Sequence, residues 1–179
     1  MKKLRLMFLI SIIFLTGCSY DDYSKDLQII SESQVPSWFN FQLKDVATQQ
    51  LFTLNDFKGK MILLESFAVW CPVGVLQERE IKWVYESQEF PLVPISLDTD
   101  PNEPESKIIK HMTENDFTWT YAHSPPELTR DLIKEFGVGI VNAPSAPIIL
   151  ICPDQSYKIL EKKGIKSSLD LKQALDTCT

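Results

Sequence analysis

Between Met61 and Phe67 runs Met61-Ile62-Leu63-Leu64-Glu65-Ser66-Phe67, an apolar stretch interrupted only by Glu65 and Ser66. A strand that is apolar on both of its alternating faces has to be covered on both sides. It therefore reads as the central strand of a sheet with helices above and below it. The stretch follows the turn Lys58-Gly59-Lys60 and leads directly into Trp70-Cys71-Pro72, where a helix starts. In that helix Leu76, Trp83 and Val84 fall at i, i+7 and i+8 on one face, and Glu78 and Lys82 are spaced to pair on the outside.

The remaining elements are arranged around this strand. Phe39 to Leu43 alternates as a half-buried strand does, and Gln50 to Leu54 is a second short strand after the polar turn Asp45 to Gln49. Leu92 to Leu97 reads as a strand, Ile108, Ile109 and Met112 mark a helix, and Phe117 to Tyr121 fits a short strand. Ser124-Pro125-Pro126-Glu127 has capping-box spacing with proline at the helix start. Leu128, Leu132 and Phe136 follow at i, i+4 and i+8, and Gly137 ends that helix. Ile148 to Ile151 and Tyr157 to Leu160 read as strands, and Ser167 to Asp176 as a final helix. The expected class is α/β, one central sheet with helices on both sides.

The 179 residues allow one domain and a leader. Lys2, Lys3 and Arg5 precede the apolar run Leu6 to Leu15, a length that suits a signal peptide rather than a membrane span. The run ends in Leu15-Thr16-Gly17-Cys18, which resembles a lipobox. On this reading residues 1–17 are a lipoprotein signal, Cys18 carries lipid, residues 18–35 are a polar tether and residues 36–179 are the domain. The alternative is an ordinary secretory signal with an incidental cysteine. Either way the domain is expected outside the cytoplasm, where disulfides persist. The net charge is −6 and becomes more negative once the basic leader is removed, so nucleic acid is excluded as a partner. Of four cysteines, Cys18 is assigned to lipid; Cys71, Cys152 and Cys178 leave an odd number, hence a free thiol or an intermolecular bond.

Cys71 lies where a buried strand gives way to a helix, and the helix's first N–H groups and dipole favour a thiolate there. Pro72 suits the first helical turn, and Trp70 is expected to shield one side of the sulfur. Downstream, Ala146-Pro147 comes directly before the strand Ile148 to Ile151, a place where a cis peptide is tolerated. Phe67-Ala68-Val69-Trp70-Cys71-Pro72, Phe52-Thr53-Leu54, Phe57-Lys58-Gly59-Lys60, Phe136-Gly137-Val138 and Pro147-Ile148-Ile149-Leu150 occur in an order that resembles the thioredoxin superfamily. Within it they resemble the membrane-anchored TlpA/ResA-like (redoxin) branch.

The resemblance covers the chain from about Trp38 onward. It implies a thioredoxin-like fold, a central mixed β-sheet flanked by helices with an N-terminal β-hairpin extension. It also implies Cys71 as the attacking cysteine and Pro147 as a cis-proline, with the backbone of Ala146 binding an extended substrate by strand-like hydrogen bonds. Glu65 matches a position where thioredoxins bury a carboxylate for proton transfer; the alternatives are a carboxylate at the sheet edge or one paired with a lysine.

The family's second cysteine is replaced here by Gly74, and Gln77 stands where the branch often has an acid. Without a thiol at Gly74 the motif cannot release its own product. Cys152 lies five residues past Pro147, roughly 16 Å along the strand at about 3.3 Å per residue. A disulfide needs Cα atoms within about 7 Å. Cys178 continues the apolar face of the last helix, so Cys152 and Cys178 read as packing residues that have room to lie near each other.

The expected function is thiol–disulfide exchange through one cysteine, with exported proteins or small-molecule thiols and disulfides as partners and no cofactor. A degenerate module that binds extended peptides is the alternative. A peroxiredoxin-type peroxidase usually has threonine or serine three residues before its cysteine, where this chain has Ala68. His111 and His123 lack ligand-spaced partners and read as surface residues, so no metal is expected. Glu103 and Glu105 read as a solvated face.

Overall fold

The computed structural model describes residues 35–178. The leader, Cys18 and nearly all of the tether lie outside the described residues. The main sheet has five strands in the order β5-β4-β3-β6-β7: β3 (Met61–Phe67), β4 (Leu92–Asp98), β5 (Thr120–His123), β6 (Ile148–Ile151) and β7 (Tyr157–Ile159). β3 pairs parallel with β4, and β4 with β5, while β6 runs antiparallel to both β3 and β7. The sheet is mixed, and every residue of its central strand β3 is buried.

Each face of the sheet has its own core. Met61, Leu63 and Phe67 of β3 pack with Ile81 and Val84 of α1 (Pro72–Ser87), Ile108 of α2 (Glu105–Asn115) and Leu171 of α4 (Ser168–Leu175). Ile62 and Leu64 face the other way, onto Leu128 and Leu132 of α3 (Pro126–Phe136) and onto Trp38 and Phe39. The apolar run with no alternation is thus explained by helices covering both faces.

The hairpin is shorter than the alternation predicts, with β1 (Leu43–Lys44) antiparallel to β2 (Leu51–Phe52). Trp38 and Phe39 are adjacent and both buried. A strand would turn one of them outward, so Ser37–Asn40 forms a 3-10 turn that tucks both in. Leu54–Phe57 is likewise a 3-10 turn, capped reciprocally by Thr53 and Asp56. β5 starts later than expected, because Phe117 N–H closes back on Met112 O at 3.0 Å and keeps residues 117–119 in the turn out of α2. The capping box at Ser124 does not form: Pro125 is the cap residue and the Ser124 hydroxyl lies 2.7 Å from that of Thr129.

Of the apolar face expected in α1, Val84 is buried as expected and the other two residues are not. Leu76 and Trp83 are exposed, whereas Gly74, Gln77, Glu78, Ile81 and Val84 are buried. Glu78 does not pair with Lys82. Its Oε1 accepts from Tyr121 Oη at 2.7 Å, and its Oε2 lies 2.7 Å from His111 Nε2. Lys82 binds Asp116 and Glu86 instead. His111 is therefore a core residue rather than a surface one.

Candidate active site

Cys71 is the cap residue of α1, with Pro72 in the first helical position. Its N–H donates to Ala68 O at 3.0 Å, and its carbonyl accepts from Gly74 N at 3.1 Å. The thiol-bearing residue is only 2% exposed and packs against Ala68, Ala143 and Val73. Among the described residues it is the one free cysteine. Cys152 and Cys178 are joined in a disulfide with Cα atoms 5.1 Å apart, so they lie near each other as expected and are bonded as well.

Trp70 is tied to the segment after β4. It is 61% exposed, and its indole N–H donates to Asp100 Oδ2 at 3.0 Å. Asp100 belongs to an acidic strap after β4 that fixes the loop leading to Cys71. Thr99 donates from N and Oγ1 to Phe67 O at 3.1 and 3.2 Å, and Glu103 Oε2 accepts the Val69 N–H at 2.7 Å. Glu103 is buried, contrary to the solvated face that its acidic surroundings predict. Glu105 pairs with Lys44.

Asp98 opens this strap. Burial pushes its carboxyl up to about 7, helped by the charges of Glu103 and Asp100 and opposed by the hydrogen bond from Asp100 N–H. His123 Nδ1 lies 3.2 Å from its Oδ2. An acid that holds its proton longer in the folded state than in the unfolded chain favours folding at low pH. That contribution is lost as pH rises from about 4 to about 7. Asp98→Asn is expected to flatten the fall in melting temperature across that window; profiles parallel to wild type would assign the fall to another group.

On the other side of Cys71 stands the loop that leads into β6. Gly137 (φ 79) ends α3, the 3-10 turns Val138–Val141 and Ala143–Ser145 follow, and Ala146 is left-handed at φ 45. Pro147 is not a cis-proline, since every peptide bond among the described residues is trans. The left-handed Ala146 makes the turn into β6, and Pro147 O then accepts Ser66 N at 3.2 Å. Nor does Ala146 present a free backbone to an incoming strand. Its N–H donates to Ala143 O at 2.9 Å, and its carbonyl accepts from the Lys166 ammonium.

Glu65 is fully buried on the α1 side of β3. Its register neighbour Ser96 donates to Oε2 at 3.3 Å, and Ser96 in turn accepts the Trp119 indole N–H at 2.9 Å. Oε1 has no hydrogen-bond partner. Burial, and then the nearby charge of Glu78, hold the carboxyl well above the usual range, with Ser96 and the charge of Lys166 opposing. Glu65 is neither at the sheet edge nor ion-paired with a lysine. Lys166 itself is buried, and periodicity gives no hint of that because it lies in a loop among polar residues. Among the described residues, no three His, Cys, Asp or Glu side chains cluster closely enough to hold a metal.

Solved structures share this fold. Mycobacterium tuberculosis DsbF, in mixed oxidised and reduced forms, superposes with a TM-score of 0.63 at 16% identity, over 81% of this chain and 99% of that one. A putative electron transfer protein of Aquifex aeolicus gives 0.65 at 18%, over 81% and 96%. A secreted M. tuberculosis disulfide oxidoreductase homologous to E. coli DsbE gives 0.59 at 11%, over 78% and 97%. The fold is thioredoxin-like. No family model matches the chain, and no curated protein matches it. Within a thioredoxin-like fold, Cys71 occupies the strand-to-helix junction, and Gly74 fills the first turn of α1 where the sequence resemblance leads one to expect a second thiol.

Proposed function

We propose that this chain carries out thiol–disulfide exchange outside the cytoplasm, with Cys71 as its single nucleophile and Cys18 as its lipid anchor. The observation that carries the reading is a free cysteine at the cap of α1, packed against the loop before Pro147. The thiolate attacks one sulfur of a partner disulfide. That S–S bond breaks, a Cys71–partner disulfide forms, and the partner's other sulfur leaves as a thiolate. Glu65, whose burial favours the protonated carboxyl, is assigned the proton-handling role. Gly74 supplies no thiol, and Cys152 and Cys178 are bonded to each other. A thiolate from the partner or from a small molecule must therefore attack the mixed disulfide and restore Cys71. Such a cycle suits isomerisation or capture better than net reduction. The Cys152–Cys178 bond supports the extracytoplasmic placement, since such bonds persist in oxidising compartments.

Incubating the full chain with oxidised glutathione tests this. A persistent glutathione adduct is expected on Cys71, mapped by mass spectrometry, and none at residue 71 in Cys71→Ser. Wild-type protein with no adduct at Cys71 would sink the reading. The burial of Cys71 favours a second one, a thioredoxin-fold binding module with an idle cysteine, whose peptide-binding edge is not the Ala146 backbone, already hydrogen-bonded on both sides. Under it, Cys71→Ser leaves partner binding intact.

A further inference from the structure

Lys166 is a lysine that is 1% exposed, in the segment between β7 and α4. A single side chain grips its backbone at both ends. Lys166 N–H donates to Gln77 Oε1 at 2.6 Å, and Gln77 Nε2 donates to Lys166 O at 3.1 Å. Gln77 lies on α1, the helix that Cys71 opens. The Lys166 ammonium then reaches across to donate to Ser145 O at 3.2 Å and to Ala146 O. One residue thus ties the nucleophile's helix to the loop whose Ala143 packs on the nucleophile.

On that side the loop is held otherwise by Gly164 N–H, which donates to Ser145 O at 3.1 Å, so the Ala146 carbonyl depends on the ammonium. A cavity of about 300 Å³ lies against the loop, lined by Asn142, Ser145, Pro147, Leu160, Lys162 and Lys166. Ala146 sits in a left-handed conformation that alanine adopts only under constraint. Its carbonyl is held by the ammonium rather than by a neighbouring strand.

We propose that Lys166 is a positioning residue for Cys71: its ammonium latches the 142–146 loop closed over the thiol and so sets how fast Cys71 meets a disulfide. The inference rests on Cys71 being the nucleophile and adds a control on its access. Burial brings Lys166 down to about 8, with Glu65 of β3 favouring the ammonium and Lys162 disfavouring it. Of the other groups around it, Gln77 of α1 is neutral and Asp170 of α4 is engaged with Lys162. A folded-state value below the ordinary lysine range means that the ammonium is lost as pH rises through about 8. The latch is firm below that pH and slack above it.

The test uses the full chain and two readouts. One is iodoacetamide labelling of Cys71, separated from Cys18 by peptide mapping. The other is amide exchange at Ala146, whose N–H is held by Ala143. Lys166→Met is expected to raise Cys71 labelling about tenfold at pH 7 and to lower Ala146 protection by a similar factor, the scale of one charge-assisted hydrogen bond. Lys166→Arg should restore both. Wild-type protection at Ala146, corrected for intrinsic exchange, should fall between pH 7 and pH 9, and Lys166→Arg protection should not. A folded Lys166→Met with unchanged labelling and protection overturns the latch. If that variant does not fold, pH-independent protection in wild type overturns it instead. Neither readout needs a mixed disulfide, so a latch without a glutathione adduct on Cys71 would refute the exchange reading alone.

Discussion

Gly74→Cys is expected to give this chain a disulfide reductase activity on insulin that the wild type lacks, at least about a hundredfold above background. The scale comes from making resolution intramolecular, where a held thiol acts at a very high effective concentration. Gly74 is the third residue of α1, one turn from Cys71, and its N–H already bonds to Cys71 O at 3.1 Å. Side chains three apart on a helix have Cβ atoms about 5–6 Å apart, close enough for the first turn to adjust to a disulfide. There is space for the new side chain. A Cβ at Gly74 meets only Ala68 O and Phe67 Cβ, both at 3.9 Å, which is ordinary contact. Replacing a glycine within a helix also recovers about 0.5 kcal/mol, so the reduced variant should not be less stable than wild type. A variant whose introduced thiol bonds to Cys71 yet reduces nothing would locate the barrier in the closed loop over Cys71. A variant that forms no such bond would show that this helix start is not built for a dithiol.

The parts of the fold that the sequence announced are those governed by near neighbours. The Met61–Phe67 run, the proline after Cys71 and the glycine after Phe136 each act within a turn of their own position. The structure places them as the residues predict. The parts it concealed depend on partners far along the chain. Glu78 is expected on the outside of α1, and the apolar spacing, which points to the face of Leu76, Trp83 and Val84, does not mark the polar Gln77 as buried. Gln77 is buried because Lys166, 89 positions away, offers it a backbone donor and acceptor. Glu78 is buried because His111 and Tyr121 come to it from two other elements. Glu103 is hidden in an acidic segment for the same reason, its partner being the Val69 N–H. The peptide before Pro147 is a different case. A proline at a strand start permits either isomer, and the choice is made by the loop behind it, here through the left-handed Ala146.

Replacing Cys152 and Cys178 together with alanine is expected to cost about 3 kcal/mol of stability and to lower the melting temperature by about 10 °C. The size follows from the chain closed by the bond, a sequence separation of 26, whose loss frees the unfolded state more than the folded one. The bond ties the residue after β6 to the 3-10 turn after α4. It thereby holds the final helix against the edge half of the sheet, where Leu171 and Leu175 belong to the same core as Ile148 and Leu150. Mild reductant should reproduce the shift in wild type and leave the double variant unchanged. Capture of glutathione by Cys71 should proceed at the wild-type rate in the variant at 25 °C, because Cys152 follows the far end of β6 from Pro147, roughly 16 Å along the strand. This second measurement separates a structural bond from a catalytic one. If removing the pair abolished turnover of the Cys71 mixed disulfide while the domain stayed folded, resolution would be internal after all. The pair would then be the missing second half of the site rather than a clamp on its scaffold.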